Sequence, residues 1–257
     1  MYGILAGGNG SRMKSNIPKP LQEVSEKDTL LSLLVRNIKE VDESAQIAIN
    51  CGFGTTQEQV ADYVDKVLCD RFGEIQIVTN DSKPNGTGQG VQRVYDSLED
   101  NSRKSWDYMG VFYGDVPSDI KSIDRLRSSI VGEKRQIGLD AIIGSFDTLN
   151  PIGKGRLVVH HNGLVRRIIE EKDCSEEEKQ ITIVNSGMGI FSREVLDTYF
   201  TQNHLSYQGE WPFTNIVSML GGQYNFSHSQ LEENPLNYGA NNPEELQKIR
   251  DFLKSFQ

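Results

Sequence analysis

Short apolar runs separated by helix-length amphipathic segments constrain this chain more than any other feature. Residues 2–6 (YGILA), 46–50 (QIAIN), 74–78 (EIQIV) and 108–112 (YMGVF) have the length of strands and fall short of core helices. Between them, residues 29–41 (TLLSLLVRNIKEV), 56–69 and 87–98 place apolar side chains at helical spacing, with Asp28 or Thr29 as the N-cap of the first. Strands joined by helical crossovers lie parallel, so this β-α-β-α-β-α-β order predicts a mainly parallel sheet with helices on both faces.

Beyond residue 140 the rhythm changes. Residues 141–146, 156–160, 164–170 and 181–191 read as strands, and Asn162-Gly163 between the second and third is a strong hairpin signal. Helices at 193–201 and 213–220, a strand at 224–228 and a helix from Pro243 to about Phe256 follow. The acidic stretch 170–179 reads as a solvated loop, with an interaction patch as the alternative. The expected architecture is one α/β domain over 1–257: three α/β/α layers, a mixed and mainly parallel sheet, and a β-rich insertion.

Directly after the first run, residues 3–20 (GILAGGNGSRMKSNIPKP) hold four glycines and three cations without one carboxylate. The first twenty residues carry +3, from Arg12, Lys14 and Lys19, in a chain of net charge −9, so the other 237 carry −12. A small basic loop in an acidic body suits a compact polyanion such as a nucleoside triphosphate. It argues against generic nucleic-acid binding, which needs a basic face. A glycine-rich turn after a strand offers backbone N–H groups to phosphate, because a chain without Cβ can come close. Two phosphate-binding patterns fail at Met13. The dinucleotide fingerprint G-x-G-x-x-G, begun at Gly8, requires glycine there. So does G-x-x-x-x-G-K-[ST], although Lys14-Ser15 mimics its ending.

A third pattern fits the whole stretch. Leu5-Ala6-Gly7-Gly8-x-Gly10-Ser11-Arg12-Met13, followed by Pro18-Lys19-Pro20-Leu21, resembles the signature loop of the sugar-nucleotide pyrophosphorylases, the nucleotidyltransferase-A family. The resemblance implies a Rossmann-like nucleotidyltransferase fold. Residues 1–140 would be mainly nucleotide-binding, 141–228 mainly sugar-phosphate-binding, and 229–257 a metal-ligand loop and helix. It implies that Leu5, Ala6, Gly7, Gly8, Gly10, Ser11 and Arg12 bind the nucleotide and that Arg12 and Lys19 are catalytic. The chemistry suits those residue types, because phosphoryl-group transfer rests on positioning and on neutralising charge at the phosphates. Arg12 can fork onto the outer phosphate oxygens, while Lys19 acts as a point charge near the α-phosphate. Pro18 and Pro20 restrict the backbone on both sides of Lys19; Lys14 lacks that bracket and reads as a solvated cation.

The run at 108–112 leads into Tyr113-Gly114-Asp115-Val116-Pro117. An Asp at the carboxyl end of a parallel strand sits where open α/β sheets bind ligands, although Asp is also a common turn residue. By the same resemblance Asp115 is a Mg²⁺ ligand. The second ligand falls in residues 237–246 (NYGANNPEEL). Asn242-Pro243 makes a good N-cap and N1 pair, with Glu244 and Glu245 suiting the positive helix end, which frees Asn241 to coordinate; exchange between the neighbours is the alternative. The resemblance also picks Asn241.

Further segments are similar to one subgroup, the N-acetylglucosamine-1-phosphate uridylyltransferases, the N-terminal half of a bifunctional bacterial enzyme. That similarity implies uracil contacts from Gly86 and Thr87, by backbone and hydroxyl. It implies sugar-phosphate contacts from Tyr113, Gly155, Glu170 and Asn185, with the amide of Gly155 against the N-acetyl sugar. Asn80 and Asp81 are alternatives for a further base contact. Gln89-Gly90 departs from the His-Ala of relatives. The implied substrates are UTP and N-acetylglucosamine-1-phosphate, with CTP, GTP or TTP, a hexose-1-phosphate, or a non-catalytic nucleotide sensor as alternatives. The chain stops at Gln257, without the hexapeptide-repeat β-helix that carries acetyl transfer and builds the trimer, so neither is expected. No apolar run approaches the ~20 residues that span a bilayer, and no signal peptide is expected. The three scattered cysteines, Cys51, Cys69 and Cys174, suggest reduced thiols and a cytoplasmic setting. The expected partners are therefore small molecules, with no nucleic acid and no membrane; nothing in the sequence specifies an oligomeric state.

Overall fold

A computed structural model describes residues 1–8, 10–100, 106–131, 138–203 and 211–256. The apolar runs become β1 (Tyr2–Leu5), β2 (Ile47–Asn50), β3 (Gln76–Val78) and β4 (Tyr108–Tyr113), all parallel, in the order β3-β2-β1-β4. Their crossovers contain α1 (Leu30–Val41), α2 (Thr55–Tyr63) running through a π turn into α3 (Cys69–Phe72), and α4 (Gly86–Asp100). After α5 (Ile120–Ile130) and β5 (Ala141–Asp147), β6 (Arg156–Val159) and β7 (Val165–Ile169) form an antiparallel hairpin. It closes at Gly163, whose φ of 81° explains the Asn-Gly pair.

The β-rich segment extends the main sheet rather than building a separate one. β8 (Ile183–Ser192) lies antiparallel between β4 and β5, and β9 (Phe226–Gln230) closes the edge parallel to β5. The β6–β7 hairpin leaves that path, touching β8 through Arg156 and Val184. The last strand starts two residues later than its apolar pattern indicates, because Asn225 is engaged before it. Its N–H donates to Asp140 and its side-chain amide to the Gly138 carbonyl, each at 2.8 Å. The remaining helices are α6 (Arg193–Asn203), α7 (Asn215–Leu220), α8 (Pro235–Tyr238) and α9 (Pro243–Lys254). The one-turn α8 has too few residues to register as a helical pattern.

Strand alternation splits the core into two layers. Tyr2, Ile4, Ile49 and Phe112 face α1, α2 and α5, meeting Leu34, Ile38, Val60 and Leu126. Ala48, Met109 and Val111 face α4, α6 and α7, meeting Val91, Val94, Leu196 and Val217. Each fully buried aliphatic side chain contributes roughly 1.5–3 kcal/mol relative to exposure, so these faces fix the register of the sheet. Thr29 caps α1, accepting the Ser32 N–H at 3.1 Å. Asp28 is instead buried beneath Arg36 and Arg71, at 2.6 and 3.0 Å.

A third, smaller cluster positions the site. Met13, Val24, Leu30 and Leu33 pack with Leu236, Ala240, Leu246 and Ile249, clipping the C-terminal helix onto the loop that follows β1.

Candidate active site

The carboxyl ends of the parallel strands converge on one cavity of about 390 Å³. β1 supplies Leu5 and the following Gly7 and Gly8, β2 Asn50 with Gly52 and Phe53, and β4 Tyr113 and Asp115. Lys19 and Pro20 enter from the loop beyond Arg12, and Lys83, Pro84, Gly86 and Thr87 from the approach to α4. Gly7 and Gly52 lie so close that a Cβ on either would stand 2.5 Å from the other's Cα.

Three polar side chains meet at the β4 end. Lys19 Nζ donates to Asn241 Oδ1 at 2.9 Å and forms an ion pair with Asp115. Gly10 packs closely against the base of this lysine. That glycine has φ +58°, and an added Cβ would lie 2.9 Å from the Cβ of Lys19. On the other side, Gly239 has φ +69° and rests on the β4 loop, where an added Cβ would lie 2.5 Å from the Asp115 carbonyl oxygen. This close approach places Asn241 beside Asp115. Asn242 turns the other way and caps α9, accepting the Glu245 N–H at 2.9 Å.

A buried amide lock holds the same loops. Asn237, fully buried, donates to Asp119, Ser122 and the Glu232 carbonyl, while its own oxygen accepts the Asp119 N–H. Asn234 donates to Asp119 at 2.7 Å. The chain leaving Asp115 is thus tied to the chain approaching Asn241 by buried polar groups that partner one another.

Not every residue expected at the nucleotide reaches the cavity. Ala6 is buried in the core, and its N–H is used by the Asn50 carbonyl at 2.8 Å. Ser11 and Arg12 belong to a short 3-10 turn, Ser11–Met13, on which Arg12 is exposed and outside the cavity lining. Asn80 has an internal role: its amide donates to Asn50 at 2.8 Å and to the Gly52 carbonyl at 2.5 Å. Asp81 is exposed. The departure at Gln89 also has a local job, accepting the Asn85 N–H at 2.6 Å ahead of α4. Thr87 accepts the Phe213 N–H at 2.9 Å and hydrogen-bonds Tyr113, so its hydroxyl already has partners within the protein.

Thr87 and Tyr113 also line a second, larger cleft of about 820 Å³, with Ile168, Glu170, Pro212 and Thr214. Burial pushes the Tyr113 hydroxyl up to about 12, against the lowering effect of the Thr87 hydrogen bond, so it stays a neutral donor. Of the residues expected at the sugar, Glu170 lines this cleft, Asn185 lines an adjoining pocket that shares Tyr113 and Thr214 with it, and Gly155 lines neither but touches both residues. The Asn185 N–H donates to the Gly155 carbonyl at 2.8 Å, and both Glu170 oxygens lie 3.7 Å from where a Gly155 Cβ would stand. Asn185 Oδ1 accepts the Gly187 N–H at 3.0 Å, so the oxygen of this amide is already used within the protein.

Several neighbours were not legible in the sequence. Thr214 donates to Glu170 at 3.0 Å, and Phe53 and Lys83 line the cavity of about 390 Å³. Trp211 lies across Gly88, where a Cβ would stand 2.7 Å from the indole. None carries a motif; only long-range packing brings them in.

Residues 3–168 match the family model for the MobA-like NTP transferase domain. The chain belongs to that family of nucleotidyltransferases. Among curated relatives it is 31% identical over 221 residues to the bifunctional protein GlmU of Clostridium novyi, covering 84% of this chain and 44% of the relative. It is 26% identical over 258 residues to a probable UDP-N-acetylglucosamine pyrophosphorylase of Acanthamoeba polyphaga mimivirus, covering 98% and 95%. The chain spans about half the length of the GlmU relatives it matches. A nucleoside-diphosphate-sugar pyrophosphorylase from Vibrio cholerae shares the fold, with a TM-score of 0.75 and 15% identity over 98% of this chain and all of that one. Among the described residues no helix is long and apolar enough to cross a membrane.

Proposed function

We propose that this chain transfers a uridylyl group from UTP to N-acetylglucosamine-1-phosphate, releasing pyrophosphate and UDP-N-acetylglucosamine. The observation that carries the reading is the meeting of Lys19, Asp115 and Asn241 at the edge of a glycine-lined cavity. The similarity to GlmU proteins and to a probable UDP-N-acetylglucosamine pyrophosphorylase supports the choice of substrates.

Asp115 and Asn241 fit a magnesium ion. They offer one carboxylate and one amide oxygen, and Mg²⁺ typically keeps one or two carboxylate ligands while substrate phosphates and water complete its shell. When bound, the ion supplies charge neutralisation and orientation at the triphosphate. Among the described residues no cluster of three or more His, Cys, Asp or Glu is placed to hold a metal.

The protein's own part is binding and electrostatics. Gly7 and Gly8 present backbone to the phosphates, and Gly86 with the α4 approach presents backbone to the base. Glu170 accepts from sugar hydroxyls, and Asn185 and the Gly155 N–H donate to the acetamido sugar. An oxygen of the acceptor phosphate forms the new bond to the α-phosphorus. The bond from that phosphorus to the bridging oxygen breaks, and its electron pair leaves with pyrophosphate. The attacking phosphate is already ionised near neutral pH, so no side chain has to remove a proton. Lys19 stabilises the charge that builds at the α-phosphoryl group, and Arg12 serves the outer phosphates.

Pyrophosphate release measured with four NTPs against N-acetylglucosamine-1-phosphate, glucose-1-phosphate and mannose-1-phosphate tests the assignment. The highest kcat/KM is expected for UTP with the N-acetylated sugar. Preference for another pair would keep the chemistry and reject these substrates; no turnover of any pair would reject the enzyme.

A further inference from the structure

The loop between β5 and β6 carries a cation with no role so far. Lys154 stands between Gly153 and Gly155, next to the residue whose amide the proposed function assigns to the sugar. Its backbone is fixed from beneath by Arg156, which is 1% exposed. One guanidinium nitrogen of Arg156 donates to the Lys154 carbonyl, and another pairs with Glu171 at 2.6 Å. Arg156 is therefore committed to holding the loop. The Lys154 side chain reaches a different part of the site. Its Nζ lies 4.1 Å from the centre of the Tyr238 ring, which packs on Phe146 at 4.6 Å. Tyr238 ends α8, three residues before Asn241.

Lys154 thus joins the sugar-facing residues to the turn that carries Asn241. A sugar-1-phosphate has to span that same interval, with its ring near Glu170 and Asn185 and its phosphate near Lys19. Lys19 cannot neutralise that phosphate alone, because its own charge is opposed by Asp115. Among the described residues no carboxylate lies within ion-pair distance of Lys154; Glu245 and Glu233 act on it only from further away. Burial lowers the pKa of this ammonium, the mark of a cation that has lost water without gaining a close anion. An ammonium over an aromatic face keeps its remaining N–H donors for another partner.

Building on the nucleotidyl-transfer reading, we propose that Lys154 receives the phosphomonoester dianion of the acceptor, between the sugar-facing residues and the Lys19–Asp115–Asn241 cluster. The ligand class is a pyranose 1-phosphate, and the contact is one ammonium to a non-bridging phosphate oxygen.

Lys154→Met keeps the packing on Tyr238 and removes the charge. In steady-state assays of the full chain with Mg²⁺, it is expected to raise KM for N-acetylglucosamine-1-phosphate by ~10-fold or more, as for loss of a charge-assisted hydrogen bond. KM for UTP should stay within about twofold, and Lys154→Arg should recover part of the loss. Lys66→Ala, exposed on the π turn between α2 and α3 and outside the lining of both cavities, should leave both KM values unchanged. An unchanged acceptor KM in Lys154→Met, or an equal rise for both substrates, overturns the proposal. Calorimetric titration with N-acetylglucosamine-1-phosphate and with N-acetylglucosamine separates this outcome from failure of the catalytic reading, because it needs no turnover. The phosphate should improve affinity at least several-fold more in the wild-type chain than in Lys154→Met. The same improvement in both proteins, or in neither, rejects the assignment.

Discussion

Lys19 Nζ lies 2.9 Å from Asn241 Oδ1, although 222 residues separate them in the chain. Neither could hold this position alone. The lysine is placed by a proline-bracketed 3-10 turn, and the asparagine by a glycine that only fits flat against the Asp115 backbone. The small third core, which joins Met13 and Val24 to Leu246 and Ile249, brings the two ends of the chain together. A cation is already resting on the two oxygen donors that the metal reading requires, so their electrostatic preference for positive charge is visible without the ion.

Lys19 and Asp115 should therefore fail in different ways. Lys19→Ala removes a stabiliser of the transferring phosphoryl group, and kcat should fall by ~100-fold or more, on the scale of one lost electrostatic donor. Raising Mg²⁺ should not restore it. Asp115→Asn removes the carboxylate ligand, so the Mg²⁺ concentration giving half-maximal rate should rise at least ~10-fold. Initial rates across a Mg²⁺ series check both; identical Mg²⁺ curves for the two variants would contradict the separate roles.

The neighbouring asparagines divide function from stability. Asn242→Ala removes the α9 cap, a loss of about 1 kcal/mol, which in a chain of this size lowers Tm by ~2–4 °C. Its kcat should fall only modestly. Asn241→Ala should do the reverse, leaving Tm within about a degree while kcat drops steeply. Thermal melts and turnover on the same preparations test the pair. Equal effects of both substitutions on both readouts would show that the two residues share their roles.

The parallel half of the sheet was legible because its evidence is local: five-residue apolar runs, helical spacing between them, and glycines placed where the chain must turn. That Asp115 would line a cavity at a strand end agreed with its place after such a run, and the Asn242 cap was legible from the proline behind it. What stayed hidden depends on distant partners. Nothing beside Thr87 indicates that Phe213 will occupy its hydroxyl, and nothing beside Asn80 indicates that Asn50 will bury it. The placement of Arg12 on an exposed turn outside the cavity lining is likewise not indicated by its motif. The strand at 226 slipped for the same reason, because Asn225 answers to Asp140, 85 residues away.

Glu170 should govern the acceptor rather than the nucleotide. Its carboxylate is aimed by the Thr214 hydroxyl at 3.0 Å and lies beside Gly155. Hydrogen bonds to a charged group are worth roughly 1.5–3 kcal/mol, so Glu170→Gln should raise the acceptor KM by ~10-fold or more. KM for UTP should be nearly unaffected. Thr214→Val should show a weaker version of the same pattern. The outcome that sinks this assignment is a larger change for UTP than for the sugar phosphate.

His228 gives the fold a measurable pH dependence far from these motifs. It is half-buried on β9, its Nδ1 is 2.8 Å from Ser145 Oγ, and burial holds its pKa below the ordinary value of 6.5. Below that value the unfolded chain binds a proton that the folded chain resists. Stability is therefore fully present above pH 6.5 and is lost as pH falls toward the depressed native pKa. Wild-type Tm should decline between pH 7 and 5, and His228→Gln should decline less steeply over the same interval. The comparison is of slopes, so any constant cost of losing the Ser145 contact cancels. Exposed His160 and His161 are present in both proteins and cancel as well. Parallel slopes in a calorimetric series would show that burial of this imidazole does not couple to folding.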